Sequence, residues 1–193
     1  MVFTLSYGEV VRVLAKMHDF APAKSTPLRG RVQHLQKLGV PSGVNTGRGR
    51  AAAYGRDELF QIAVAFEMLD LGFPPERARL VTTNWDMVRG GILEAATVNP
   101  FERVYLVLHP LALNYLRNKE AEPQELATSI FFLRKTMLVD WMNTPATARS
   151  TALIDLTAVL YALDDALRSI RPDLHLKEIV SSWHAELFDG DDP

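Results

Sequence analysis

The sequence predicts a mainly α-helical protein in two parts, with a β-hairpin after the second helix and an α-rich, or α+β, second part. Three observations carry this. Several segments repeat apolar residues at i, i+3, i+4 and i+7, the spacing that lines one face of a helix. One stretch, VPSGVNTGRGRAAAYG from Val40 to Gly55, breaks that pattern with four glycines, two arginines and no acid. Charge is also divided along the chain. Residues 1–56 hold nine Lys/Arg and two acids, net +7, whereas the remainder holds 12 Lys/Arg and 21 acids, net −9.

Tyr7 to about Met17 forms the first helix, opened by Ser6 or Tyr7, with Val10, Val13, Leu14 and Met17 on one face. Pro22 in DFAPAKS stops it. Ser25 or Thr26 caps the second helix, with Pro27 in its first turn, where a missing N–H is tolerated. That helix runs to about Leu38, and Gly39 suits its C′ position. NTGRG then reads as a hairpin turn between strands Pro41–Val44 and Arg50–Tyr54. Asp57 begins a strongly apolar helix ended by Gly72, and Pro74-Pro75-Glu76 begins another. Gly90-Gly91 and Asn99-Pro100 are read as punctuation at a domain boundary.

In the second part, ERVYLVLH is β-rich up to His109. PQELATSIFFLRKTMLVDWM suits a helix, although SIFFL also suits a buried strand. TALIDLTAVLYALDDALRSI reads as one helix with a stripe of Leu153, Leu156, Leu160, Leu163, Leu167 and Ile170. This stripe is either a homodimer surface or the core of the second part. DLHLKEIVSSWHAELF is a last amphipathic helix, and residues 189–193 are an acidic tail. The expected domains are 1–90 and 100–188.

Composition excludes several classes. The chain has 193 residues, 48% hydrophobic, enough for one good core or two small ones. It has no cysteine, hence no disulfide, thiol nucleophile or cysteine-ligated metal. No apolar run is long enough to cross a membrane. MVFTLSYGEVVRV has no basic leading segment and carries Glu9 and Arg12 in its apolar part, so it is not expected to be a signal peptide. A cytoplasmic, nucleoid-associated protein is expected, with no cofactor and no membrane partner.

The basic first third is the feature that points to function. On the second helix Leu28, Val32, Leu35 and Leu38 share one face; Gly30, Gln33, His34 and Lys37 lie opposite, flanked by Arg29 and Arg31. Arg and Gln can make paired hydrogen bonds to guanine and adenine edges, and Lys suits phosphates. A glycine-rich turn carrying Arg48 and Arg50 follows directly, which is the layout of a winged helix-turn-helix: helix in the major groove, wing along the backbone or in the minor groove. A phosphate-cradling loop does not fit, since no GxxxxGK[ST] follows a strand.

Residues 31–80 resemble the winged helix-turn-helix of bacterial MerR-type transcriptional regulators. QKLGVP ends the second helix where that family has a related turn, and fifteen residues separate Gly39 from Tyr54, as its wing requires. YGRDELFQIAVAFEMLDLGFPPERARLV follows the family pattern without a gap, at Tyr54, Glu58, Leu59, Ile62, Met68, Leu71, Gly72, Phe73 and Glu76. The resemblance covers about the first 85 residues. Ala52 stands where the family usually has an arginine, and the stretch between the first two helices is longer. The family's long dimerising coiled coil has no counterpart, and no cysteine set exists for a metal effector. The resemblance therefore implies a DNA-binding module but neither a metal sensor nor the family's dimer geometry.

The expected DNA-contacting residues are Lys24, Thr26, Arg29, Arg31, Gln33, His34 and Lys37 on and before the second helix, Asn45, Arg48 and Arg50 on the wing, and Tyr54. Arg29 and Gln33 are the candidates for reading base edges. Among other residues, His109, His175 and His184 fit no compact metal motif, the Asp164-Asp165 pair reads as a solvated helix face, and Ser6, Ser25, Ser150 and Ser169 lack a nucleophile context. Phe131, Phe132, Trp141, Tyr161 and Trp183 read as core.

The resulting expectation is a sequence-specific transcriptional regulator, a repressor sooner than an activator, without enzymatic activity. It is expected to bind duplex DNA as a homodimer, with a protein or small-molecule effector on the second domain. The alternative is an adaptor or phage-type structural protein that uses the winged helix for protein contacts.

Overall fold

The structure, a computed structural model, describes residues 3–20, 25–44, 51–99, 101–108, 130–144, 151–176, 179–180 and 183. It is mainly helical, with two small antiparallel sheets. The chain divides into two units, residues 1–83 with 159–193, and residues 84–158. Neither the boundary expected near residues 90–100 nor a continuous 100–188 domain coincides with this division.

The first unit begins with β1 (Leu5–Ser6) and α1 (Tyr7–Met17). Ser6 is the N-cap of α1: its Oγ accepts from the Glu9 N–H, and the Glu9 carboxylate accepts from the Ser6 N–H at 2.7 Å. Two otherwise orphaned amides are thus satisfied reciprocally. Val10, Val13 and Leu14 face inward as their spacing requires. Helix α2 (Ser25–Lys37) packs on α1 and ends at Gly39, which has φ +81°. Only a residue without Cβ adopts that conformation cheaply.

The expected strand Pro41–Val44 is a turn instead. Pro41 has no N–H, and the Ser42 N–H donates to the side chain of the distant Gln61, at Oε1, at 2.8 Å, so a side chain takes the place of a ladder partner. The strand expected over Arg50–Tyr54 is reduced to β2 (Ala53–Tyr54), which pairs with β1 rather than with residues 41–44, in the register Leu5↔Tyr54 and Ser6↔Ala53. The NTGRG tip and Arg50 lie outside the described residues.

Helix α3 (Arg56–Asp70) is the centre of this unit. Leu59 through Phe66 and Met68 are all buried, so the helix is covered on every side, with Gln61 as the polar residue among them. A 3-10 turn (Pro75–Ala78) and α4 (Arg79–Thr83) pack against it. Trp183, far along the chain, is also fully buried here: its ring lies 5.3 Å from Phe60, and its Nε1–H donates to Asp57 Oδ1 at 3.0 Å.

In the second unit, α5 (Trp85–Thr97) runs through Gly90-Gly91, so the expected break there is corrected. A Cβ on Gly91 would sit 2.6 Å from Leu156 Cδ1 and 3.1 Å from Phe132 Cβ. The missing side chain is what lets α5 lie close on the sheet. That sheet has the order β4-β3-β5, all antiparallel: β3 (Val104–Leu108), β4 (Ile130–Arg134) and β5 (Ala152–Asp155). Phe132, Leu106 and Ile154 are in register on the face that α5 covers. SIFFL therefore contributes a strand, and among the described residues of that segment the helix is α6 (Lys135–Met142).

TALID is likewise a strand, and the helix α7 starts only at Leu156 and runs to Ile170. Asp155 sets that start, because its Oδ1 accepts from the Ala158 N–H at 2.9 Å as an N-cap. Leu156, Leu160, Leu163 and Leu167 are at most 1% exposed, so the leucine stripe is core and not a free dimer surface. Asp164 is corrected as well: it is buried, accepting from the Leu176 N–H at 2.9 Å and pairing with Arg168 at 2.8 Å, whereas Asp165 is exposed. Of the last predicted helix only fragments are described, among them the Ile179 N–H bonded to the His175 carbonyl.

Candidate nucleic-acid interface

Helix α2 meets its own unit along one edge. Leu28, Val32 and Leu35 are at most 1% exposed, while Leu38 is only partly covered. Thr26, Arg29, Gly30, Arg31, Gln33, His34 and Lys37 are exposed. The period of 3.6 residues separates these sets, since three apolar side chains are enough to seat thirteen residues on α1. Among the described residues, no carboxylate pairs with Arg29, Arg31 or Lys37. Their charge is thus available to a polyanion.

Two tyrosines hold the helix, the half-buried Tyr7 and the buried Tyr54. The Tyr7 hydroxyl donates to the Arg29 carbonyl at 3.3 Å and also meets the Gln33 side chain. Burial raises its pKa, opposed by the Arg29 charge and the Gln33 bond. Gln36 Nε2 donates to the Tyr54 hydroxyl. Tyr54 has no exposed surface, and burial, with Tyr7 nearby, pushes its pKa up to about 12. The expectation that Tyr54 touches DNA is corrected for this reason: a phenol with no accessible surface positions α2 instead. Gln33 is exposed but tethered, which limits the rotamers open to it.

His34 lies 3.9 Å from Glu76 of the 3-10 turn, so an acid from another element approaches the face at its lower edge. Sequence periodicity could not show this, since Glu76 is 42 residues away. Arg12, exposed on α1, lines the same groove as Arg29 and widens the basic surface. Its spacing from the buried Val11 and Val13 was a readable signal. Lys24, Asn45, Arg48 and Arg50 lie outside the described residues, as do His109 and His184.

No cluster of three or more His, Asp or Glu able to hold a metal occurs among the described residues, and no helix there is long and apolar enough to cross a membrane. His175 is exposed. The most covered histidine among the described residues is His18, whose Nδ1 lies 2.9 Å from Asp70 Oδ2, beside Phe20 and Phe66. No protein-family model, no curated protein and no solved structure matches the chain.

Proposed function

We propose that the exposed face of α2, together with the glycine-rich segment that follows it, binds duplex DNA, and that the protein is a sequence-specific transcriptional regulator. One observation carries the proposal: Arg29, Arg31, Gln33 and Lys37 are exposed together on a helix whose opposite edge is buried, with no carboxylate partner among the described residues. The order β1–α1–α2–β2–α3 and the resemblance to MerR-type modules support it. In this reading Arg48 and Arg50 form the wing, and Arg29 and Gln33 read bases. Repression is the expected mode, by occupancy of the promoter. Two copies bind a site together, through a surface other than the buried leucine stripe. The proposal assigns no catalytic step.

The test is fluorescence anisotropy of the full chain with labelled duplexes. About four phosphate contacts give a slope near −3.6 in log affinity against log salt, roughly a hundredfold loss between about 50 and 200 mM. Arg31→Ala and Lys37→Ala should weaken all duplexes alike and flatten the slope. Gln33→Ala should relax preference at one or two positions in a binding-site selection, with a discrimination loss of roughly 1–3 kcal/mol. An affinity independent of salt overturns the proposal.

The adaptor reading keeps one observation in its favour. Helix α6 exposes Met137, Val139 and Met142, each more than half accessible, a surface suited to a protein partner. Salt-insensitive DNA binding together with retained protein association would favour it.

A further inference from the structure

We propose that the groove between α1 and the start of α2 is a binding site for a small amphipathic carboxylate. The groove is open to solvent and offers about 480 Å³, within the range of small-molecule sites. Val11, Ala15 and Phe20 give it an apolar lining. Arg12 and Arg29 line it too, and neither guanidinium pairs with a carboxylate among the described residues.

The remaining polar groups are already used. Glu9 also lines the groove, but its Oε2 accepts from the Ser6 N–H at 2.7 Å and the Ser6 Oγ at 2.8 Å, and its Oε1 lies 3.5 Å from Arg171 Nη1. The Ser6 hydroxyl is spent on the same carboxylate. Two free forks above an apolar lining select one planar anion carried on an apolar body. A multiply charged phosphate ester would need further cationic donors, and the described lining residues hold none besides Arg12 and Arg29.

Gly8 supplies a clean way to block the groove. It lines the cavity, and a Cβ built there meets nothing within 4 Å. A leucine at this position extends into open space instead of into packed atoms. Arg29 belongs both to this groove and to the face assigned to DNA, so a bound carboxylate would withdraw one cation from that face. The site itself does not rest on the DNA proposal.

The experiment is ligand-observed saturation-transfer NMR on the full chain with matched pairs: benzoate and benzamide, phenylacetate and phenylacetamide, hexanoate and hexanamide. At least one carboxylate should bind with a Kd of about 1 mM or tighter while its amide does not. Gly8→Leu should abolish the signal. Arg12→Gln, a change at an exposed side chain, should weaken it about tenfold, the loss expected for one charge-assisted bond. Lys16→Gln, exposed on the same helix but outside the groove, should leave it unchanged. Amides binding as well as carboxylates, no carboxylate binding, or equal losses from Lys16→Gln and Arg12→Gln would each overturn the proposal.

Discussion

Trp183→Ala should strongly destabilise the unit that carries α2, although the substitution lies about 150 residues along the chain from that helix. Trp183 has no exposed surface, stacks against Phe60, lies under the Arg56 guanidinium at 5.6 Å and donates to Asp57. Truncating a buried aromatic to alanine costs roughly 3–5 kcal/mol. Domain stabilities are roughly 5–15 kcal/mol, so the loss is at least about a fifth of the total. With an m value of about 2 kcal/mol/M in urea, a cost of about 4 kcal/mol moves the midpoint down by about 2 M. Trp183→Phe keeps a ring against Phe60 and loses the N–H bond to a carboxylate, a cost of roughly 1.5–3 kcal/mol. Urea titrations followed by far-ultraviolet circular dichroism measure both. The ordering wild type, Phe, Ala is required. A midpoint shift below about 0.5 M for the alanine variant would show that Trp183 does not complete this core, and a folded fragment 1–90 would say the same.

Three further outcomes follow from the packing. Leu160→Glu places an unpaired charge at a site 1% exposed, and should give an unfolded chain by circular dichroism; a folded variant of halved mass in light scattering would restore the stripe as an interface. Gly91→Ala and Gly90→Ala should differ in sign. The helix gains about 1 kcal/mol from either alanine, but a Cβ on Gly91 meets Phe132 Cβ at 3.1 Å and Leu156 at 2.6 Å, whereas one on Gly90 meets only the Phe132 ring at 3.4 Å. Overpacking costs roughly 1–3 kcal/mol, so thermal melting should place Gly91→Ala below wild type and Gly90→Ala at or above it. Tyr54 should titrate near pH 12 by ultraviolet absorbance, and Tyr54→Phe should remove that step. Its folded pKa is raised, so the associated stability is complete below the unfolded value of about 10 and is lost as pH rises from there through about 12.

Periodicity along a single element was enough to place α1 and α2, and a long apolar run bounded by Asp57 and Gly72 placed α3. Val10, Val13 and Leu14, and again Leu28, Val32 and Leu35, are buried because a helix turns every 3.6 residues whatever packs against it. The same local geometry exposes Arg29, Arg31, Gln33 and Lys37, so most of the candidate site on α2 was legible before any fold was known. Gly39 and Gly72 were legible for a similar reason, since a left-handed residue after a helix is a property of that residue alone. Tertiary contact decided the rest. Short apolar runs such as IFFLR and ALID satisfy strand and helix equally, and only the neighbouring β3 supplies the ladder that makes them strands. Gly90-Gly91 looks like a break until Phe132 and Leu156 occupy the space a side chain would need. Tyr54 became a buried anchor because β2 pairs with Leu5–Ser6 across half the first unit's sequence, and Trp183 joins α3 from the far end of the chain. Such contacts depend on where distant segments meet, and pattern within a segment carries no record of that.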